Sequence, residues 1–197
     1  NNGSPLATAI RSIQEIYKKL PSGAQGTIFG HNVGAAPTGG VTVSQSSAEN
    51  TGYPDRDYIT IADAGNEVVV DGFTYRAASA NQKFYLGTFQ VNTTFGAHAG
   101  VKGTKPADPH YLEEYTITIC PDTGYDLDKD NFVLTMKEND TADAKNLAFG
   151  TYCTEEADGS IKVTISQVTG DITIHAEAKK QTSKLTIDGL NVSGTVK

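Results

Sequence analysis

Tyr115-Thr-Ile-Thr-Ile119 alternates apolar and polar residues, with Tyr115, Ile117 and Ile119 on one face. Phe132-Val-Leu-Thr-Met136 follows a polar turn, and then come Ile161-Lys-Val-Thr-Ile165 and Ile172-Thr-Ile174, the last two separated by Val168-Thr-Gly-Asp171. Successive strand side chains point to opposite faces, so a period of two builds one apolar and one solvated face. Strand, turn and strand at short spacing, with no helical pattern between them, predict an antiparallel β-sandwich. Gly170-Asp171 predicts a tight reversal that returns Ile172 and Ile174 beside Val163 and Ile165.

The same period extends upstream. Val41-Thr-Val43, Tyr58-Ile-Thr-Ile61, Val68-Val-Val70 and Phe84-Tyr-Leu86 are strand candidates. Asp71-Gly72 is the residue pair that favours a type I′ turn, so Glu67–Val70 and Phe73–Arg76 are expected to pair antiparallel. Residues 44–57, rich in Ser, Asn and Asp, read as a loop.

The first segment reads as a helix instead. Ser4 can cap it, Pro5 takes the first helical position, and Leu6, Ile10, Ile13, Tyr17 and Leu20 follow at a/d spacing until Pro21. A helix this short is marginal alone in water. It must therefore pack, either on its own domain or as an oligomerisation stalk or anchor on another protein. Residues 22–40, with Gly23, Gly26, Gly30, Gly34, Gly39 and Gly40, read as a loose connector. The expected organisation is helix and connector over 1–40, a β-rich segment over 41–95, a sandwich domain over 96–180, and the start of a further strand segment over 181–197. The last residues alternate like a strand pair and then stop, which suggests a piece of a longer protein.

Three features place residues 85–180 near a known family. They are the turn Gly124-Tyr-Asp-Leu127, the alternating strand Phe132–Met136 after it, and the closing Val168-Thr-Gly-Asp-Ile172. Together this stretch resembles the small immunoglobulin-like repeats of bacterial surface proteins and of phage virion proteins. The resemblance implies a display and spacing module with no catalytic residues to carry over. Gly124 would permit a bend, and the Tyr125 ring would cover the end of the sandwich. Residues 137–158 depart from the pattern, being longer and more polar than the usual connection.

Composition narrows the function classes. The chain of 197 residues carries a net charge of −7 and a pI near 5.0, which argues against binding nucleic-acid phosphates. Its apolar runs are far shorter than a bilayer span, so membrane insertion is not expected. Asp126, Asp128 and Asp130 invite a calcium reading, but the loop template wants Gly and Glu where Asn131 and Lys137 stand. A solvated turn or a weak cation site of another kind remains. The histidines His31, His98, His110 and His175 lack the spacing of a zinc site, and neither a nucleophile elbow nor a phosphate loop is present. No catalytic residue, metal or cofactor is expected. Cys120 and Cys153 could bridge in an exported protein or stay reduced in one assembled in the cytosol.

The expected function is thus structural: a phage head fibre, capsid decoration or tail-associated protein on the virion surface. Leu6, Ile10, Ile13, Tyr17 and Leu20 would bind further copies or the capsid. The alternative is an extracellular adhesin fragment on a bacterial cell surface. There Tyr53, with Asp55 and Arg56, would form a glycan platform by ring stacking and hydrogen bonding. A third reading is an accessory module of a secreted glycoside hydrolase.

Overall fold

The computed structural model of the chain describes residues 16–46, 53, 55–138 and 142–182. Its strands fall into two groups in chain order. The first holds β1 (Tyr17–Leu20), β2 (Gly26–Ile28), β3 (His31–Val33), β4 (Val41–Ser44), β5 (Tyr58–Ile61), β6 (Glu67–Val70), β7 (Phe73–Arg76) and β8 (Gln82–Tyr85). They make two four-stranded sheets, β1-β4-β5-β8 and β2-β3-β6-β7, in which every pairing is antiparallel. Val41, Val43, Ile59 and Ile61 from one sheet share a core with Val33, Val68, Val70 and Tyr75 from the other. Each such side chain, once buried, contributes about 1.5–3 kcal/mol. The period-two pattern is therefore what holds this first body together.

The predicted Asp71-Gly72 hairpin is present, with Glu67 opposite Arg76 and Val70 opposite Phe73. Asp71 and Gly72 have φ of 51° and 84°. A type I′ turn needs positive φ at both central residues, which Gly adopts at no steric cost.

Two expectations for the first 40 residues are corrected. Tyr17 and Leu20 lie in β1, not in a helix, and pair with β4 from Tyr17 opposite Ser44 to Leu20 opposite Val41. Leu20 packs on the core, while Tyr17 is 47% exposed. The free edge of β4 satisfies the backbone of Tyr17-Lys-Lys-Leu20, and that pairing overrides the helical spacing. Leu6, Ile10 and Ile13 lie outside the described residues. Residues 22–40 are not a loose connector either. They contain β2 and β3, and Ile28, Val33 and Ala36 are buried.

The second group is β9 (Val91–Phe95), β10 (Ala99–Val101), β11 (Tyr115–Pro121), β12 (Tyr125–Leu127), β13 (Val133–Met136), β14 (Lys145–Asn146), β15 (Cys153–Glu155), β16 (Ile161–Ile165), β17 (Ile172–Ala176) and β18 (Ala178–Lys180), with a 3-10 turn at Lys129–Asn131. The sheets are β10-β11-β16-β15, β14-β13-β17-β9 and the pair β12-β18. Ile117, Ile119, Ile161, Val163 and Ile165 from the first sheet meet Val91, Leu134, Met136, Ile172 and Ile174 from the second in one core. The β9–β17 pairing is parallel, with Val91 opposite Ile172 and Phe95 opposite Ala176.

The closing segment is also corrected. Val168–Asp171 does not reverse the chain within one sheet. β16 pairs with β11 and β15, and β17 pairs with β13 and β9. Ile172 and Ile174 thus face Val163 and Ile165 across the core instead of lying beside them. Asp171 explains the crossing. Its carbonyl accepts the Lys137 N–H at 3.0 Å, its carboxylate accepts the Gln90 N–H at 2.8 Å, and both partners border the opposite sheet. Gly170 comes so close to the Lys137 carbonyl that a Cβ there would collide with it.

Candidate functional site

The residues between the two bodies form an aromatic junction. Tyr53, expected as an exposed sugar platform, is only 1% exposed. Its ring lies 4.4 Å from that of Tyr85, 5.4 Å from Phe89 and 6.3 Å from Tyr111, centroid to centroid. Its hydroxyl donates to the Glu138 carbonyl at 3.0 Å. A ring packed this way has no face left for a sugar, so the Tyr53 platform is overturned. Four aromatic rings from distant stretches of chain gain more from one dry cluster than one ring gains in solvent.

Cations close the cluster. The Arg56 guanidinium sits 4.1 Å from the Phe89 ring centroid and donates through Nη1 to the carbonyls of Leu86 and Thr88 at 3.2 and 3.1 Å. The Lys83 ammonium lies 3.7 Å from the Tyr58 centroid and 4.7 Å from that of Tyr85. Burial lowers the Lys83 pKa, with Tyr58 acting in the opposite sense. Backbone bonds add to the junction: the Phe89 N–H reaches the Pro109 carbonyl at 2.8 Å, and Thr88 bridges His110. The His110 imidazole stacks on Phe73 at 3.6 Å and 10°.

Beside the junction lies an open cleft of about 460 Å³ lined by His31, Asp55, Arg56, Asp57, Asp71, Leu86 and Gly87. Asp55 and Arg56, two of the three residues expected to meet a glycan, are thus brought together there without Tyr53. The cleft's centre is His31. Its Nδ1 is 2.7 Å from Asp71 Oδ2 and its Nε2 is 3.0 Å from Asp57 Oδ2. The other Asp71 oxygen accepts the Asn32 N–H at 2.8 Å, and the other Asp57 oxygen accepts the Ser46 N–H at 2.6 Å. Partial burial pushes the His31 pKa down, but bonding and attraction to Asp71 and Asp57 outweigh it and leave it above 6.5. Burial likewise works to raise Asp71, yet the bonds from His31 and Asn32 hold it below 3.8. When protonated, the imidazole donates from both ring nitrogens to Asp71 and Asp57; when neutral, one nitrogen turns a lone pair to a carboxylate.

Of the aspartates at 126, 128 and 130, Asp126 and Asp130 line one depression, while Asp128 is engaged by its own turn. Asp128 caps the 3-10 turn and accepts Asn131 Nδ2 at 2.9 Å and Lys179 Nζ at 3.2 Å. The Asn131 bond first, then Lys179, lower its pKa. The adjoining depression is lined by Asp126, Asp130 and Glu155 together with Lys129 and Lys179, and the two ammonium groups already pair with Glu155 and Asp128. Among the described residues no group of three or more His, Cys, Asp or Glu is placed to hold a metal.

The cysteines are free. Cys153 pairs with Val163, which in turn pairs with Ile117. Cys120 is therefore two strand spacings away and further along β11, roughly 10 Å or more where a disulfide needs about 6 Å. Burial pushes the Cys153 thiol up to about 11. Tyr125 stacks on His98 at 3.8 Å and so covers that loop rather than the core. Tyr115 is 2% exposed, its hydroxyl has no hydrogen-bond partner among the described residues, and burial pushes it up to about 12.

Sequence reasoning missed the His31–Asp57–Asp71 bridge and the aromatic junction, because each joins residues from separate strands or loops. No helix among the described residues is long and apolar enough to cross a membrane. No protein-family model, curated protein or solved structure matches the chain.

Proposed function

We propose that the chain is a non-enzymatic structural and display protein of a phage virion, anchored through its N-terminal residues and holding an immunoglobulin-like domain outward. The observation that carries this reading is the aromatic junction. Tyr85 ends β8 and Phe89 precedes β9, yet both pack with Tyr53 in one cluster. Such a junction leaves no slack linker, and the two bodies behave as one stiff spacer. Two facing four-stranded sheets over residues 91–176 support the immunoglobulin-like resemblance. The acidic balance disfavours nucleic acid as a partner, and the expected partners are further copies of the chain and capsid proteins.

Immunogold labelling with antibodies to this chain tests the reading. Label on the surface of purified particles is the expected result. Label confined to a bacterial envelope, or none on particles, overturns it.

The cleft favours one alternative, a bacterial surface adhesin. It presents the Asp55 carboxylate and the polar groups around His31 to solvent, as a glycan hydroxyl network requires. On a glycan array this reading expects binding that Asp55→Asn weakens at least tenfold. An array without signal from the wild type removes it.

A further inference from the structure

We propose that the Asp57–His31–Asp71 bridge is a pH-set clamp on the junction between the two bodies, closed in mildly acidic solution and loosened above neutrality. The proposal concerns the chain itself and stands whether or not it sits on a virion.

Geometry links the bridge to the junction in one step. Asp57 holds His31 through its side chain, while its backbone carbonyl accepts the Leu86 N–H at 2.9 Å. Its neighbour Arg56 holds the carbonyls of Leu86 and Thr88 and covers Phe89. The Arg56 N–H also bonds to the Tyr53 carbonyl at 3.1 Å. The loop segment carrying Tyr53, Arg56 and Asp57 is thus pinned on one side by His31 and grips residues 86–89 on the other.

Only an imidazolium can donate from both nitrogens at once. When it loses a proton, one nitrogen presents a lone pair to a carboxylate, and one of the two bonds becomes repulsive. The His31 pKa is raised in the folded state, so the contribution is complete below 6.5 and is lost as pH rises through the folded value. Asp71 is lowered, so its part is complete above 3.8 and is lost as pH falls through its lowered value. The clamp is closed between these limits.

Other charges face the bridge. Asp55 and Arg56 line the same cleft, and Tyr75, near Asp71, is pushed up to about 12 by burial. His110 sits at the junction itself, 3.3 Å from Glu113. The His31 variant, rather than pH alone, therefore separates the causes.

The test is amide hydrogen exchange by NMR on the full chain, corrected for the intrinsic pH dependence, at pH 5.5 and 8.5. Protection of Leu86 and Phe89 should fall about five- to tenfold on going to pH 8.5, while Ile174 in β17 stays unchanged. His31→Gln, which keeps a polar group but no charge, should show the low protection at both pH values. His31→Arg, cationic throughout, should lose the pH dependence. An unchanged wild type, or a His31→Gln variant with the wild-type pH response, overturns the proposal. Should the variants fail to fold, direct titration of the His31 ring decides: its midpoint must coincide with that of Leu86 protection, and separate midpoints overturn the clamp.

Discussion

The two bodies are both pairs of facing sheets, but they fix their strand order by different means. In the first body, β2–β3 and β6–β7 are adjacent hairpins, the latter closed by the Asp71-Gly72 turn, alongside the distant pairings β1–β4, β5–β8 and β3–β6. In the second, the central pairings are long-range: β9 with β17, β11 with β16 and β13 with β17. The register there rests on a few tertiary contacts, Asp171 with Gln90 and Gly170 against Lys137. The two hairpins of the first body should form early, and the distant pairings of either body later, because loop closure must precede their contacts. The junction then decides whether the pair melts as one or as two.

Tyr53→Ala should have the largest effect. Removing a fully buried ring costs about 4 kcal/mol. It should also split a single calorimetric transition into two, since the ring joins both bodies. One undivided transition at the wild-type temperature would contradict the shared core. Gly170→Ala comes next, at about 3 kcal/mol, because the new methyl meets a backbone carbonyl that cannot turn aside. Urea unfolding followed at β17 amides should show the second body lost first. Gly72→Ala should cost about 1–2 kcal/mol, the strain of a Cβ at positive φ, and should weaken the first body only. Tyr115→Phe runs the other way and is the smallest. Deleting a hydroxyl that is buried without a partner should raise stability by about 1 kcal/mol in the same urea experiment. A loss of that size would mean the hydroxyl is bonded in solution.

Much of the β pattern was legible from residues such as Val41, Ile59, Ile117 and Ile174, whose alternation is local and strong. The Asp71-Gly72 turn was legible because its chemistry admits one geometry. The Tyr17–Leu20 stretch misled, since four residues cannot distinguish a helical seam from an edge strand, and the free edge of β4 decided it. Val168–Asp171 misled because turn residues specify a change of direction without naming the sheet that receives the next strand. The polar neighbours of Tyr53 in sequence point to an exposed loop, although its burial depends on Tyr85, Phe89 and Tyr111. The His31 bridge had no local signal, because its two aspartates lie in other segments of the chain.

The parallel pairing of β9 with β17 has a mechanical consequence. Both strands run away from the junction, so the chain enters the second body at one end near Val91 and leaves its core at the other near Ala176. Tension between those points pulls the two strands lengthwise in opposite directions. Their five residue pairs then share the load simultaneously instead of peeling apart one after another.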